Sequence, residues 1–173
     1  MLVVASSNPI RDLDLAPIVP IRTIANRGLA GIDGTISTAI GAALANAGPT
    51  HALIGDLAFL HDSNGLVVGP DEARPDLRIV VVNDNGGGIF STLEQGDPTH
   101  ATHFERVFGT PHNVDLGALC AASGTAYTLV RTVDELRAAL TPTVAGLDVI
   151  EVRISRDAHR PLGAAMVAAL KQL

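Results

Sequence analysis

Ala52-Leu53-Ile54-Gly55-Asp56-Leu57-Ala58 and Ile79-Val80-Val81-Val82-Asn83-Asp84-Asn85-Gly86-Gly87-Gly88-Ile89-Phe90 are the two segments that decide how this chain folds. Each opens on a short aliphatic run, 52–54 and 79–82, of the kind that becomes a strand buried in a parallel sheet. Each run ends on side-chain oxygen: Asp56 after the first, Asn83, Asp84 and Asn85 after the second. In an open α/β sheet, loops at the carboxyl ends of neighbouring strands share a crevice in which ligands bind. Oxygen ligands from two such loops, with a glycine-rich turn leaving room for a large anion, suit a hard cation that carries a phosphate ester. Magnesium answers that description best, because it takes few protein oxygens and leaves the rest of its octahedron to phosphate and water.

Outward from these segments, strand and helix alternate. A short strand is expected at Ile18–Ile24, ending in Ala25-Asn26-Arg27-Gly28. Gly31-Ile32-Asp33-Gly34-Thr35 then leads into a helix of small residues from Ile36 to Ala47, with Asp33 as its N-cap and Gly48-Pro49 as its stop. Residues 50–55 form the strand that enters the first ligand loop, 57–68 read as a helix, and 77–83 return to the sheet. Beyond 90 the rhythm breaks. Residues 91–112 hold Gly96, Asp97-Pro98, three histidines (His100, His103 and His112), Phe104 and Phe108. That is a long, partly helical excursion at a place where active-site lids sit. The alternation resumes with a helix at 115–123, a strand at 126–130, a helix at 133–140 whose Thr132 and Glu135 have capping-box spacing, and a strand at 148–154. Residues 1–17 read as a loop leading to a short helix. The predicted fold is α/β: a three-layer, doubly wound, mostly parallel sheet with helices on both faces. Residues 1–173 are expected to form a single domain, cut from a longer protein.

Composition narrows the classes. A chain of 173 residues buries roughly 70% of its unfolded surface in one core. With 47% hydrophobic but only 3% aromatic residues, that core is aliphatic. A net charge of -6 argues against nucleic acid, since no basic face is available to neutralise phosphates. The single cysteine, Cys120, excludes an intramolecular disulfide and a cysteine-based metal site, and suggests a reducing, cytoplasmic setting. No apolar run reaches the roughly 18 residues of a membrane span, and no signal-peptide pattern opens the chain. The histidines, His61 included, lack zinc spacing. The glycines match neither the dinucleotide fingerprint nor the P-loop.

The pairing of Gly55-Asp56 with the Asn-rich turn 28 positions on resembles the thiamine diphosphate motif, in which an Asp and an Asn-type ligand hold Mg²⁺ on the cofactor. Two residues depart from it: Leu57 stands where many members have Gly, and Asp84 where Asn is usual. The second carboxylate leaves the preference between Mg²⁺ and Mn²⁺ open. Ala25-Asn26-Arg27-Gly28, Gly31-Ile32-Asp33-Gly34, Leu60-His61-Asp62-Ser63-Asn64-Gly65-Leu66 and Gly86-Gly87-Gly88-Ile89-Phe90 sharpen the resemblance. Over nearly its whole length the chain is similar to the carboxyl-terminal, diphosphate-binding domain of the 2-succinyl-5-enolpyruvyl-6-hydroxy-3-cyclohexene-1-carboxylate synthases, the MenD family of menaquinone biosynthesis.

That resemblance implies a transferase that decarboxylates 2-oxoglutarate and adds the succinyl-semialdehyde carbanion to isochorismate. It implies metal ligation by Asp56, Asp84 and the carbonyl of Gly86, and cofactor contacts from Ile32, Gly55, Asp56, Leu57, Ala58, Asp84, Asn85 and Gly86. Ile32 would wedge the cofactor into its bent form, and the N–H groups around Leu57 and Ala58 would meet the diphosphate. Ser7, Arg11 and Arg27 match substrate-binding positions, in keeping with the carboxylates of both substrates. Ile89, Phe90 and Leu93 would wall the reacting carbon. No catalytic residue falls in this chain. The Glu that activates the cofactor belongs to the amino-terminal pyrimidine-binding domain of a partner subunit, so a homo-oligomer is expected. Other readings stay open: a different thiamine diphosphate-dependent 2-oxo-acid decarboxylase, an acetolactate synthase, or a non-catalytic phosphate-binding module. Taken singly, Asp56 also reads as a helix N-cap, the Asn-Gly cluster as a plain turn, Ile32 as a core residue and Arg11 as a solvated side chain.

Overall fold

The computed structural model describes residues 1–16, 20–29 and 31–170. In chain order it contains β1 (Leu2–Val4), α1 (Asn8–Asp14), β2 (Thr23–Ile24), α2 (Thr35–Ala45), β3 (Thr50–Gly55), α3 (Asp56–His61), β4 (Leu77–Asn83), α4 (Ala101–Phe104), α5 (Leu116–Ala122), β5 (Ala126–Val130), α6 (Val133–Leu140), β6 (Leu147–Arg153) and α7 (His159–Leu170). It divides into two units: Met1–Asn83 with Val114–Arg153, and Asp84–Asn113 with Ile154–Leu173.

The first unit is built on a six-stranded sheet in the order β2-β1-β3-β4-β6-β5, with every pairing parallel. Register sets its two faces. Ala52 pairs with Ile79 and Ile79 with Val149, so these side chains share one face with Val3, Ile54 and Val81. Ile36, Ala39 and Ala43 of α2, Ala58 and Phe59 of α3, and Leu116 and Cys120 of α5 close over that face as one buried cluster. Alanine at the α2 contact lets helix and sheet approach closely. Arg78 points to the opposite face and is 4% exposed. It donates to Asp148 at 2.8–3.1 Å and to the carbonyls of Leu140 and Pro142 at 3.3 and 2.9 Å, which places the end of α6 on that second face. Helices therefore cover both faces of a parallel sheet, as the alternation of elements predicts.

Four expectations need correction. The strand expected at Ile18–Ile24 is only Thr23–Ile24; residues 18 and 19 lie outside the described residues. Asp33 does not cap α2. Gly34, in left-handed conformation (φ 63°), holds the N-cap position, and the acceptor comes from a distant loop. The Asp62 carboxylate accepts from the Ser37 N–H at 2.7 Å and from its hydroxyl at 3.1 Å. The same contact explains why 57–68 is not one helix. Asp62 leaves helical geometry (φ -126°, ψ 26°), ending α3 at His61, and the chain continues as a 3₁₀ turn over Ser63–Leu66. A further strand, β1, occupies part of the segment expected to be loop.

The second unit holds the excursion and α7. Short 3₁₀ turns at Gly88–Ser91, Glu94–Gly96 and Pro98–His100 lead into α4 and then a π-type turn, Glu105–Gly109, which ends on left-handed Thr110 (φ 40°). Among the described residues, no helix is long and apolar enough to cross a membrane.

Candidate functional site

The crevice side of the first unit lies at the carboxyl ends of its strands. From β1 the chain winds to β2 on one side, and from β3 to β4 on the other, so the winding direction switches between β1 and β3. Ligands bind at such switch points in open α/β sheets. Two loops leave the sheet there: Ala5-Ser6-Ser7 after β1 and Asp56 after Gly55.

Ser7 has φ 76° and ψ -139°, a region that side chains rarely adopt. Its carbonyl accepts from Arg11 Nη1 at 2.7 Å. Arg27 Nη1 donates to Ser6 Oγ at 3.3 Å, and Asn26 Nδ2 donates to Thr38 Oγ1 at 3.1 Å. The first unit thus gathers Ser7, Arg11 and Arg27 about the Ser6-Ser7 loop. Arg11 and Arg27 are both exposed, so their guanidinium groups face solvent on that loop. Strained backbone of this kind concentrates where ligands are held. Ile32, half-buried, packs against the core cluster.

Asp56 is the first residue of α3 and only 2% exposed. Its Oδ1 accepts from the Leu57 N–H at 2.8 Å. Gly55, not Asp56, holds the N-cap position of α3, and no side chain caps the helix; the Leu57 N–H is one expected to meet the diphosphate. A Cβ on Gly55 would meet nothing within 4 Å, so open space lies beside Gly55. The methyl of Ala58 is buried in the core. Gly55 pairs with Val82, so β4 runs one residue beyond the end of β3.

At the end of β4 stands a buried group that motif reading missed. Glu151, in the middle of β6, is fully buried. Its Oε1 accepts from Asn83 Nδ2 at 2.9 Å and from Arg153 Nε and Nη2 at 2.9 and 2.6 Å; its Oε2 accepts from the Tyr127 hydroxyl at 2.5 Å. Burial and this carboxylate push the Tyr127 hydroxyl above its ordinary value, so it stays a proton donor. A Glu inside a predicted buried strand is the signal that could have found it, because a buried charge demands partners.

In the second unit, Asp84 is 9% exposed. Asn85 is left-handed (φ 63°), and its side chain ties the turn to the far end of the excursion. Oδ1 accepts from the N–H groups of His112 and Asn113 at 3.2 and 3.0 Å, and Nδ2 donates to Asn113 Oδ1 at 2.9 Å. The excursion is thus pinned at its root.

At the glycines of this turn, the space a side chain would take is filled by the chain itself. A Cβ on Gly86 (φ 136°) would strike the Gly109 carbonyl, one on Gly87 the Phe108 carbonyl, and one on Gly88 the Asp84 carboxylate. They allow backbone to lie on backbone: Gly87 N–H donates to the Gly109 carbonyl at 2.8 Å and Gly88 N–H to the Gly86 carbonyl at 3.0 Å. Phe90 packs on Phe108, with ring centroids 5.5 Å apart, and Ile89 is half-buried beside it in the chain. Leu93 lines an open, largely polar hollow with Glu94, Asp97, His100 and Arg160. His159 Nδ1 lies 3.7 Å from Asp84 Oδ2, too far for a hydrogen bond.

Among the described residues, no group of three or more His, Cys, Asp or Glu side chains is placed to hold a metal. A magnesium ion that keeps its phosphate and water ligands needs fewer protein groups than that. The donors expected to hold it are two carboxylates and a carbonyl, all hard oxygen, and Asp56 and Asp84 are each largely withdrawn from solvent. This chemistry fits magnesium.

Residues 15–152 match the family described as thiamine pyrophosphate enzyme, C-terminal TPP binding domain. The chain is 57% identical to the 2-succinyl-5-enolpyruvyl-6-hydroxy-3-cyclohexene-1-carboxylate synthase of Saccharopolyspora erythraea, over 98% of this chain and 32% of that protein. It is 56% identical to the synthase of the same name from Kineococcus radiotolerans, over 98% of this chain and 31% of that protein. It therefore spans about a third of the length of these curated relatives. The crystal structure of benzoylformate decarboxylase from Polynucleobacter necessarius shares its fold, with a TM-score of 0.72 at 24% identity, over 91% of this chain and 30% of that one. The chain belongs to the thiamine pyrophosphate enzymes, as their C-terminal TPP binding domain.

Proposed function

We propose that this chain is the diphosphate- and magnesium-binding domain of a synthase that decarboxylates 2-oxoglutarate and joins the four-carbon product to isochorismate in menaquinone biosynthesis. The observation that carries this reading is the 57% identity to a synthase of that name along 98% of the chain. In this reading Asp56, Asp84 and the Gly86 carbonyl hold Mg²⁺, with Mn²⁺ as the alternative ion, while Gly55, Leu57, Ala58 and Asn85 line the diphosphate. Thiamine diphosphate, when bound, supplies the electron sink for loss of carbon dioxide from a 2-oxo acid. Arg11 and Arg27 receive substrate carboxylates beside Ser7, where a planar guanidinium makes paired charge-assisted bonds. Ile32 supports the cofactor from the core side, and Ile89 and Phe90, with the exposed Leu93 beyond them, form the apolar side of the reacting carbon's surroundings.

None of the five glutamates of this chain is suited to activate the cofactor. Glu151 is buried with Asn83, Tyr127 and Arg153, Glu135 accepts from the N–H groups of Arg131 and Thr132, and Glu105 is paired with Arg156. Glu72 and Glu94 are exposed. The activating acid is assigned to the amino-terminal pyrimidine-binding domain of a partner subunit in a cytoplasmic homo-oligomer. Carbon dioxide release tests this. The complete enzyme, given Mg²⁺ and thiamine diphosphate, is expected to decarboxylate 2-oxoglutarate and consume isochorismate; the chain alone should release no carbon dioxide above a protein-free control. Steady turnover by the chain alone would overturn the division of the site, and preference for pyruvate or benzoylformate would overturn the substrates.

A further inference from the structure

We propose that Arg156 is a positioning residue for the metal-binding turn, an inference that rests on Gly86 donating its carbonyl to the ion. Arg156 lies just beyond β6, where no motif points, yet its side chain is only 15% exposed. Nη1 donates to the Asn85 carbonyl at 3.3 Å and to the Gly109 carbonyl at 2.9 Å, and Nη2 pairs with Glu105. The Gly109 carbonyl also accepts the Gly87 N–H at 2.8 Å.

These contacts bear on both peptide planes around Gly86. The Asn85 carbonyl belongs to the plane before Gly86, and Arg156 holds it directly. The Gly87 N–H belongs to the plane after Gly86, the same plane that carries the Gly86 carbonyl. Arg156 holds that plane through the shared Gly109 oxygen. A glycine at φ 136° has no side chain to restrict it, so the direction of its carbonyl, which also accepts the Gly88 N–H at 3.0 Å, is sensitive to what fixes the two peptide planes on either side of it. Glu105 offsets the positive charge, so Arg156 contributes the geometry of its fork more than its charge. Groups that orient a ligand without touching the ion set metal affinity in this way.

The test uses the complete enzyme. Thiamine diphosphate binding is followed by equilibrium dialysis while Mg²⁺ is titrated, for the wild type, Arg156→Met and Arg156→Lys, alongside thermal unfolding without ligands. Arg156→Met is expected to raise the half-saturating Mg²⁺ concentration about 10- to 100-fold, with occupancy restored at high Mg²⁺. Arg156→Lys, which keeps the charge without the fork, should fall between it and the wild type. A structural role alone would lower the unfolding temperature and leave half-saturation unchanged, and that result overturns the proposal. If Arg156→Met does not unfold cooperatively, Arg156→Lys decides by the same criterion. A wild type whose cofactor binding ignores Mg²⁺ overturns the metal reading and this proposal together. A Mg²⁺-dependent wild type with unshifted variants overturns this proposal alone.

Discussion

Replacing Arg27 by Ala separates a substrate-binding role from a structural one, because the structure sets the two effects far apart. Arg27 is exposed, and its described contact is a single bond to Ser6 Oγ at 3.3 Å, at the long end of the range. Losing such a contact changes folding stability by no more than about 0.5 kcal/mol. A guanidinium paired with a substrate carboxylate is a different matter: removing it costs about 2–5 kcal/mol of transition-state binding. At 1.36 kcal/mol per factor of ten, that is a fall of roughly 30- to 5,000-fold in kcat/KM. Steady-state kinetics on the complete enzyme, varying each carboxylate substrate in turn, would measure it beside urea denaturation and thiamine diphosphate affinity. Arg27→Lys should recover only part of the loss, since a point charge cannot reproduce the two-pronged contact. A fall in cofactor affinity as large as the fall in kcat/KM would refute the assignment and make Arg27 part of the frame.

Glu151→Leu should destabilise the fold by about 3–5 kcal/mol, because it removes the buried acceptor shared by Asn83, Tyr127 and Arg153. Glu151→Gln keeps an oxygen for Asn83 and Arg153 and lets the Tyr127 hydroxyl turn to accept, so about 1–3 kcal/mol is expected; equal losses in urea denaturation would contradict this network. Alkaline titration gives another check. Burial, and then the charge of Glu151, push the Cys120 thiol up to about 11 from 9.0, and the Tyr127 hydroxyl is also raised. Groups whose folded values are raised stabilise fully below their unfolded values and lose that contribution as pH climbs through the folded ones. The denaturation midpoint should therefore fall from pH 9 upward, and Cys120 should resist alkylation at pH 8 until the chain unfolds; rapid modification of native protein would show the thiol is not buried.

Much of this fold was legible because the relevant signals are local. The aliphatic run ending in Asn83 marks β4 over Leu77–Asn83, β5 and α6 fall where expected, and Thr132 with Glu135 forms the capping box its spacing predicts. What escaped depends on contacts between distant residues. Asp33 carries the local signature of a cap, but Asp62, 25 positions beyond Ser37, supplies the acceptor. β1 has only three residues, too few for any periodicity to show, although Val3 and Val4 are buried. At Gly86 and Gly87 the backbone at Phe108 and Gly109 occupies the side-chain position, a contact no local pattern announces. Arg156 belongs to no motif, since its three partners come from residues 85, 105 and 109.

Magnesium-dependent cofactor binding by Asp56→Ala tests the central reading most directly. Asp56 begins a short helix at the end of β3, outside the hydrophobic core cluster, so the stability loss should be that of an ordinary point substitution, about 0.5–3 kcal/mol. Asp84→Asn, which restores the commoner ligand of the resembling motif, should bind nearly as the wild type does. In equilibrium dialysis of the complete enzyme with thiamine diphosphate, the wild type should bind with Mg²⁺ and release the cofactor on chelation. A folded Asp56→Ala variant should show no Mg²⁺-dependent binding at all. Wild-type affinity in that variant, at the same Mg²⁺ concentration, would contradict the assignment of Asp56 to the metal.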